Sequence, residues 1–398
     1  MTVNATAEAL GSKGRLLNSL KHFRNRYAKE NPPRLPELRS MDELYDCFYK
    51  YARRLREAEP NTTAVLQARR SMESELKVII PLATDFSARL KMASSDGRIR
   101  IGRILEAIDI VAPCACYMLN RDDLTSKTFE NGTLPRMFVT NRFHQTSLWR
   151  GHSINPYNDI IFHGKVTWTG ETKAEASVSV RQNDHEFFRS RLVFTSLNGK
   201  NTSQKLPINQ LDLSNTFEKF MTQKRHEENT APRSLPNVGA IDFPTLKPGQ
   251  VTMASTTVET TTVAYPEHEN PYGSVFGGFL VRKGLETAEL CSKMFCNDAD
   301  VRAASLDDAE FLKVVEIGSI LRFKSYVCNV DNEQGQFQVS SQVEVYNQST
   351  NAFEICDRFL FTFASKKQLD LPQVAPQSVQ ELVAQWKSNN RKPINFFQ

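Results

Sequence analysis

Two kinds of hydrophobic spacing occur along this chain. One is a helical stripe, with apolar residues three and four positions apart. It comprises Ile101, Ile104, Leu105 and Ile108. The other is the strict alternation of a strand with one buried face. It comprises Ala174, Ala176, Val178 and Val180, with polar residues between them. A second apolar strand follows at 191–195. The order predicts one helix followed by several antiparallel strands.

The same order recurs in the second half of the chain. A helix is predicted to begin near Phe276, after a glycine-rich turn, and an alternating strand spans 337–345. Gly102 and Gly277 are 175 residues apart, and Arg191 and Arg358 are 167 residues apart. Two copies at a near-constant offset indicate an internal duplication rather than a solenoid. In each copy, one helix is expected to cover the apolar face of an antiparallel sheet.

These patterns divide the chain into five segments. We expect an N-terminal tail and helical segment at 1–74, a first domain at 75–200, a linker at 201–248, a second domain at 249–370 and a C-terminal tail at 371–398. Ser40 and Glu43 have the spacing of a capping box, so a helix is predicted to start at Ser40. The proline-rich linker is expected to be helical only around Leu213–Gln223.

Composition narrows the class of protein. Of the 398 residues, 40% are hydrophobic and 24% charged, which excludes disorder through most of the chain and predicts a globular protein. No apolar run reaches the roughly 20 residues of a membrane-spanning helix, so no stable span is expected. A net charge of +5 argues against a dedicated nucleic-acid binder but suits polyanionic small molecules.

The cysteines and the N-terminus bear on the compartment. Seven cysteines without a CxxC or zinc-like spacing are expected to be reduced thiols, which implies a reducing compartment. Residues 10–29 contain six basic residues and no acid, as in a transit peptide. Glu8 and the prolines of 32–36 leave the alternative of no targeting segment open.

The turn at 268–280 carries the sharpest chemical signal. A polar stretch leads into Gly277 and Gly278, where a predicted helix begins. Glycines let a ligand approach the backbone, and the free N–H groups of a helix start favour an oxygen that becomes negative. A carbonyl oxygen that becomes negative during acyl transfer is such an oxygen. The alternative interpretation is a tight turn with a helix cap.

Three segments carry a resemblance to a known family. The first is the turn with Asn270, Gly273, Phe276, Gly277, Gly278 and Leu280, and the others are 306–319 and 101–109. Together they resemble the double-hotdog acyl-CoA thioesterases, in particular a mitochondrial type, over about residues 75–370. The resemblance implies an α+β fold of tandem hotdog domains, in which each long helix is wrapped by a curved antiparallel sheet and the two domains form an intramolecular pseudo-dimer.

The resemblance also implies an activity, which is hydrolysis of fatty acyl-CoA to free fatty acid and CoA. It implies an acyl-CoA substrate, no metal or organic cofactor, a homo-oligomer of double-hotdog chains and a location in the mitochondrial matrix, with the cytoplasm as the alternative. Two other functions remain open. One is a hotdog hydratase acting on enoyl or hydroxyacyl thioesters, although Asn155-Pro156 precedes Asp159 and His163 in the wrong order. The other is a catalytically inactive acyl-CoA-binding protein.

Members of this family place a catalytic acid on the central helix. Asp109 and Glu286 edge the apolar stripes of the two predicted helices, while Glu106 and Glu289 are expected to point outward. A carboxylate on an apolar flank is partly desolvated and suited to base or nucleophile chemistry. In a pseudo-dimer we expect Asp109 to join the turn of copy two, and Glu286 to join the turn around Ile99.

The candidate catalytic residues are therefore Asp109, Glu286, Ser274 and Asn270, with Gly277 and Gly278 as the oxyanion turn. Asn270 could equally hold the turn through local hydrogen bonds. The basic residues proposed to meet the CoA phosphates are Arg282, Lys283, Arg302 and Lys313. Relatives often carry Asp or Asn where this chain has Ser274 and Ile99, and the first copy has Gly102-Arg103 instead of two glycines. One of the two sites is therefore expected to be weakened.

Ser274 generates a direct test. Ser274→Asp or Ser274→Asn is expected to raise kcat/KM, because a hydroxyl contributes little basicity near neutral pH and a carboxylate is favoured beside a helix start. The measurement is thioester hydrolysis on one acyl-CoA by wild type and both variants. A large loss in both variants would show that the hydroxyl has a role of its own.

Overall fold

The computed structural model describes residues 37–38, 41, 43–46, 66–120, 136–148, 153–199, 201–213, 216–230, 243, 245–270, 272–298, 300–365 and 370–391. The basic N-terminal stretch and most of the helix predicted from Ser40 lie outside these residues. Residues 41 and 43–46 of that helix are described and are helical. In this part of the chain, no helix is long and apolar enough to cross a membrane.

Strands dominate both halves of the fold. The first half contains β1 (Glu37–Leu38), β2 (Leu76–Ile80), β3 (Arg136–Phe143), β4 (Thr146–Ser147), β5 (Ile160–Thr169), β6 (Lys173–Gln182) and β7 (His185–Asn198). The second half contains β8 (Gln250–Thr252), β9 (Val258–Val263), β10 (Arg302–Phe311), β11 (Ile320–Asp331), β12 (Gln336–Asn347), β13 (Ala352–Ala364) and β14 (Gln373–Ala375). The helices are α1 (Phe86–Met92), α2 (Ile101–Leu119), α3 (Thr216–Thr230), α4 (Gly277–Cys296) and α5 (Val379–Asn389).

One large sheet joins the two halves. Among the described residues it has twelve strands, in the order β1-β2-β5-β6-β7-β3-β10-β13-β12-β11-β9, with β4 also paired to β10. Neighbouring strands of this sheet in the described ranges are antiparallel, except β1 and β2, which are parallel. The seam between the halves is short and pairs Phe143 with Ala309, Arg142 with Glu310, Thr146 with Leu306 and Ser147 with Ser305. On either side of this seam the strands follow the same chain order, so the second half repeats the first.

The two long helices, α2 and α4, lie against the sheet and against each other. The predicted stripe of α2 is buried at Ile104, Leu105 and Ile108, each fully inaccessible. In α4, Phe279, Val281 and Leu285 are similarly buried. The helix ends where Asn297 takes a left-handed conformation at φ 47°. Each helix therefore covers the sheet of its own half, as the periodicity predicts.

Glycines allow the backbones of α2 and α4 to approach closely. A Cβ atom added to Gly278 would lie 2.9 Å from the Cα and 3.0 Å from the carbonyl oxygen of Glu106. A Cβ atom added to Gly102 would lie 2.9 Å from the Cγ of Arg282. The start of each helix thus packs against the other helix, so residues of both halves meet at the start of α4.

The outer face of the sheet differs from the expectation of a single buried face. Glu175, Ser177 and Ser179 on β6 are buried, and Gln338, Ser340, Gln342 and Glu344 on β12 are buried as well. On the first half, α3 contacts this face, where its Arg225 donates to the Thr167 carbonyl at 2.7 Å. The buried carboxylate of Glu175 accepts from Asn229 of α3 at 3.2 Å. Buried polar groups keep hydrogen-bond partners in this way.

The second half has an equivalent cover. Lys387 of α5 lies 2.6 Å from Glu310 and 3.3 Å from Asp308 on β10. The segments predicted as linker and C-terminal tail therefore contribute α3 and α5 to the fold. The predicted linker helix Leu213–Gln223 is observed at Thr216–Thr230. Local patterning could not show this, because the contacts with α3 and α5 are long-range.

The glycine contact generates a graded stability prediction. Gly278→Ala is expected to lower the free energy of unfolding by about 1–3 kcal/mol, because its methyl group would strike the fixed backbone of Glu106. Gly164→Ala is the control and should lose less, since its closest contacts are the side-chain methyl groups of Leu76 and Val111, each at 3.2 Å. Urea unfolding of both variants measures the difference. Equal losses would contradict the close helix crossing at Gly278.

Candidate active site

The turn before α4 is held by hydrogen bonds within itself and to a neighbouring loop. The side-chain oxygen of Asn270 accepts from the backbone N–H groups of Tyr272 at 2.9 Å and Ser274 at 3.1 Å. Its amide nitrogen donates to the Val275 carbonyl at 3.3 Å. Asn270 therefore holds the turn, which is one of the two roles expected of it. Ser274 is partly buried within the turn and forms a β-bridge with Glu316.

The loop at 312–319 braces this turn from outside. The Val275 N–H donates to the Val315 carbonyl at 2.8 Å, and the Phe276 N–H donates to the His268 carbonyl at 3.0 Å. The Tyr45 ring packs edge-on against Phe276, with ring centroids 5.7 Å apart. These contacts fix the residue that immediately precedes the two glycines.

The start of α4 has free backbone donors, and one of them meets Asp109. No side-chain cap closes the helix at Phe276. The first helical hydrogen bond runs from the Leu280 N–H to the Phe276 carbonyl at 3.3 Å, so earlier N–H groups have no helical acceptor. The Gly278 N–H donates to Asp109 Oδ2 at 2.7 Å. The turn of copy two and the acid of copy one are therefore brought together.

Asp109 lies almost wholly inside the protein and is 4% exposed. Its Oδ1 accepts a hydrogen bond from the Thr140 hydroxyl at 2.9 Å. Burial raises the pKa of Asp109 to about 6, against the lowering effect of the Thr140 and Gly278 hydrogen bonds, and the nearby Glu106 adds to the rise. A carboxylate with this pKa is ionised at neutral pH and is still basic enough to accept a proton.

The backbone of Gly277 lies close to this carboxylate. A Cβ atom added there would lie 3.3 Å from Asp109 Oδ2 and 3.0 Å from the Phe311 ring. The Gly277 N–H has no acceptor among the described residues. A small group bound at this point would therefore meet a free helix N–H and a buried carboxylate at once.

Glu286 is in a different environment. It forms an ion pair with Arg100, and it lies 3.5 Å from Arg282 and 3.3 Å from Lys283. Burial alone would raise the pKa of Glu286, but the positive charges of Arg282, Arg100 and Lys283 outweigh burial and hold it below its usual value. The structure places Glu286 beside the first-copy turn, as expected, but with its charge already paired.

A cavity of about 120 Å³ adjoins Glu286, and its walls include Ile99, Glu289 and Arg302. Glu289 was expected to point outward, and this expectation is wrong because the side chain lines the same cavity as Glu286. Burial raises the pKa of Glu289 to about 7. Glu286 thus lies beside the first-copy turn, as Asp109 lies beside the turn of the second copy.

The second helix has no counterpart of Asp109. The offset that relates Gly102 to Gly277 maps Asp109 onto Gly284. A Cβ atom added to Gly284 would lie 2.7 Å from the Phe359 ring, so an aromatic side chain fills the space that a carboxylate would need. The two halves thus share a strand order. Among the described residues, however, only the Asp109 side combines the uncapped start of a long helix with a carboxylate that has no ion pair.

The outward orientation expected of Glu106 is also wrong. Glu106 is 8% exposed and lies 2.8 Å from Arg103 and 3.0 Å from Arg282. The close approach of α2 and α4 buries this face of α2, which helical periodicity within one segment cannot reveal. Arg282, 4% exposed, is correspondingly used to neutralise Glu106 and Glu286. It is not available as a surface contact for phosphate.

The other predicted phosphate contacts do not form one cluster. Lys283 pairs with Glu286, and Arg302 lines the same cavity, where it lies 3.5 Å from the Ser153 hydroxyl. Lys313 belongs to the loop that braces the turn, and its amine lies 3.0 Å from Glu354 at the surface. Three of the four basic residues therefore surround Glu286, and only Lys313 lies on the side of the Asp109 turn.

Sequence patterns missed three residues that shape the site. Thr140 reaches Asp109 from β3, and Phe311 reaches Gly277 from β10, both through long-range packing that leaves no local signal. Pro113 lies inside α2, four residues after Asp109. Because proline has no N–H, the Asp109 carbonyl loses its helical hydrogen bond. That spacing was visible in the sequence.

The chain is similar in sequence to several known proteins. No protein-family model matches the chain. Mouse acyl-coenzyme A thioesterase 9, mitochondrial, is 28% identical over 358 residues, which cover 81% of this chain and 78% of the mouse protein. Mouse acyl-coenzyme A thioesterase 10, mitochondrial, is 28% identical over 353 residues, again 81% and 78%. The human thioesterase 9 is 26% identical, over 79% of this chain and 76% of its own.

Solved structures of lower similarity also match. An acyl-CoA hydrolase from Staphylococcus aureus is 22% identical with a TM-score of 0.31, over 35% of this chain and 85% of its own. The 12:0-ACP thioesterase from Umbellularia californica is 11% identical with a TM-score of 0.47, over 74% of this chain and 95% of its own. The sequence relatives confirm the resemblance inferred from the turn and helix motifs. This chain is related, over about four fifths of its length, to the mitochondrial acyl-CoA thioesterases 9 and 10.

Proposed function

We propose that this protein hydrolyses acyl-CoA thioesters at a single site, formed by Asp109 of α2 and the start of α4. The observation that carries the proposal is the 2.7 Å hydrogen bond from the Gly278 N–H to the buried Asp109 carboxylate. It brings a helix start suited to an oxyanion next to a carboxylate suited to act as a base. The names of the sequence relatives support the same reaction and the same substrate class.

The geometry supports general-base hydrolysis. The thioester carbonyl oxygen accepts from the Gly277 N–H, and a water molecule beside Asp109 attacks the carbonyl carbon. Asp109 takes one proton from that water as the new C–O bond forms and the carbonyl electron pair moves to the oxygen. The tetrahedral intermediate then collapses, the C–S bond breaks, and the leaving CoA sulfur takes up the proton from Asp109. The products are a carboxylic acid and CoA.

Each neighbour of Asp109 has a definite part in this scheme. The Thr140 hydroxyl and the Gly278 N–H orient the carboxylate and keep its pKa from rising further. The helix start adds a positive dipole end, which stabilises the developing oxyanion. Phe311 packs against Gly277 and limits access of bulk water to the reacting carbon.

The architecture is proposed to be two hotdog units packed as a pseudo-dimer within one chain. The repeated strand order and the crossing of α2 and α4 support this interpretation. In it, the Asp109 side is active. The Glu286 side is inactive, because three basic residues hold its carboxylate and Gly284 replaces the acid. Assembly of such chains into a homo-oligomer stays a proposal.

We also propose a compartment for the protein and a residue that contacts a CoA phosphate. Mitochondrial relatives and the acid-free basic stretch at 10–29 favour a mitochondrial protein, with the matrix as the expected compartment. Lys313 is the candidate for a CoA phosphate, since it lies at the surface in the loop that braces the turn. A hydratase is less favoured because His163 lies within β5, 3.8 Å from Glu75.

Asp109→Asn tests the base. The substitution keeps the size of the side chain but removes its basicity, and kcat is expected to fall by about two orders of magnitude. CoA release, followed with a thiol reagent over a series of acyl-CoA substrates, is the measurement. Asp307→Asn is the matched control, because that carboxylate also has its pKa raised by burial and accepts from the Ser305 hydroxyl, but lies outside the site. Equal effects of the two changes would contradict the assignment.

Thr140→Val tests the pKa of the base. The hydroxyl of Thr140 lowers the pKa of Asp109, so its removal should raise that pKa above about 6. Only the ionised carboxylate accepts a proton, so activity is lost as the pH falls through this pKa. The acidic limb of the kcat/KM profile should therefore move to higher pH, with a smaller change on the plateau.

Thr260→Val is the control for this change. Its hydroxyl is partly buried and lies 2.7 Å from the Thr287 hydroxyl, away from Asp109. It should leave the acidic limb in place. A limb that stays unmoved in Thr140→Val would mean that Asp109 is not the titrating base.

A further inference from the structure

A second layer of side chains lies next to the layer that contains Asp109. It comes from the same helix, the same strand and the turn that precedes α4. Asp109, Thr140 and Gly278 belong to α2, β3 and the start of α4. Tyr117 on α2, Phe138 on β3 and Tyr272 in the turn before α4 form the second layer. The Tyr117 and Tyr272 hydroxyls contact each other, and the Phe138 N–H donates to the Tyr117 hydroxyl at 3.1 Å.

The spacing of the two layers follows from the backbone. Phe138 and Thr140 are two residues apart on one strand, so their side chains share a face and lie about 7 Å apart. Tyr117 follows Asp109 by eight residues, about 12 Å along the helix axis. Helical side chains tilt toward the N-terminus, which brings the Tyr117 ring back toward Asp109. The second layer thus begins about 7 Å from the layer of Asp109 and Thr140, which is one two-residue repeat of the strand.

This layer lies on the inner side of the site. Tyr117 is fully buried and Phe138 is 4% exposed, and their rings meet edge to face with centroids 4.9 Å apart. A CoA group is large and polyanionic, so it must leave the site toward solvent. The acyl chain is apolar, so it runs toward the buried side, where burial is favourable. Tyr117 and Phe138 are buried on that side, and the half-buried Tyr272 packs against the same core.

We propose that the Tyr117–Tyr272 pair, backed by Phe138, closes the acyl channel and restricts the enzyme to short acyl-CoA thioesters. The proposal rests on the function proposed above, and it adds the substrate class of that site. The two rings form the stop, so that loss of one hydroxyl leaves it in place, whereas loss of a ring opens it. The pair has a second feature. It joins the two halves of the chain across the channel, and each buried hydroxyl partners the other.

The experiment compares variants at Tyr272 over a series from acetyl-CoA to palmitoyl-CoA. Tyr272→Phe keeps the ring and removes the hydroxyl, while Tyr272→Ala and Tyr272→Leu shorten the side chain. Tyr326→Ala is the matched control, since Tyr326 is also a buried tyrosine whose hydroxyl accepts from a side chain, Gln342 at 3.1 Å. The readout is kcat/KM for each chain length, with circular dichroism to verify folding.

Wild type is expected to act best on the short substrates. Tyr272→Ala should raise the ratio of kcat/KM for dodecanoyl-CoA over butyryl-CoA by at least about tenfold, the lower end of the effect of one methylene in a pocket. Tyr272→Leu should shift the ratio in the same direction, and it serves where the alanine variant does not fold. Tyr272→Phe and Tyr326→Ala should keep the wild-type ratio.

Two results would overturn the inference while leaving the hydrolase function intact. One is a wild-type preference for long chains, and the other is an unchanged ratio in both Tyr272→Ala and Tyr272→Leu. A wild-type protein that releases CoA from none of the substrates would instead contradict the proposed function, and the chain-length inference with it. The two failures are therefore distinguishable in one set of assays.

Discussion

The hydrogen bond between Asp109 and the Gly278 N–H depends on how closely two helices approach, and the whole site depends on that bond. A side chain at 278 would strike the backbone of Glu106, so the contact requires glycine. The carboxylate then takes the place of a helix cap, but it comes from the other half of the chain. Desolvation by both halves raises its pKa toward neutrality. Packing, capping and basicity are thus consequences of one helix crossing.

The duplicated fold is symmetric in its strands and asymmetric in its chemistry. Both halves use the same strand order, and each long helix begins near a glycine. In the second helix, however, Gly284 with the Phe359 ring occupies the position of the acid. Glu286, the acid nearest the first-copy turn, is neutralised by Arg100, Arg282 and Lys283. The same duplication that supplies a partner helix therefore supports one proposed active site and one closed by ion pairs.

Local patterns predicted the helices and the turn, and the resemblance to double-hotdog thioesterases placed Asp109 opposite Gly277 and Gly278. That pairing could be predicted because periodicity gives the face of a helix and the pseudo-dimer implied by the resemblance gives the partner. Glu106 and Arg282 could not be assigned, because only the crossing of α2 and α4 shows that they are buried together. The packing of α3 and α5 against the sheet and the hydroxyl of Thr140 were missed for the same reason, since each acts across more than 30 residues of chain. The catalytic roles of Asp109, Asn270, Ser274 and Glu286 stay predictions.

A carbon-13 NMR titration of the Asp109 carboxyl carbon, assigned by comparison with Asp109→Asn, tests most directly whether this carboxylate can be the base. We expect a pKa near 6 in the free protein, because burial outweighs the two hydrogen bonds that stabilise the charged form. A pKa at or below the ordinary aspartate value of about 4 would contradict it. Such a value would mean that the carboxylate is solvated or paired, and that it could not act as the base of the site.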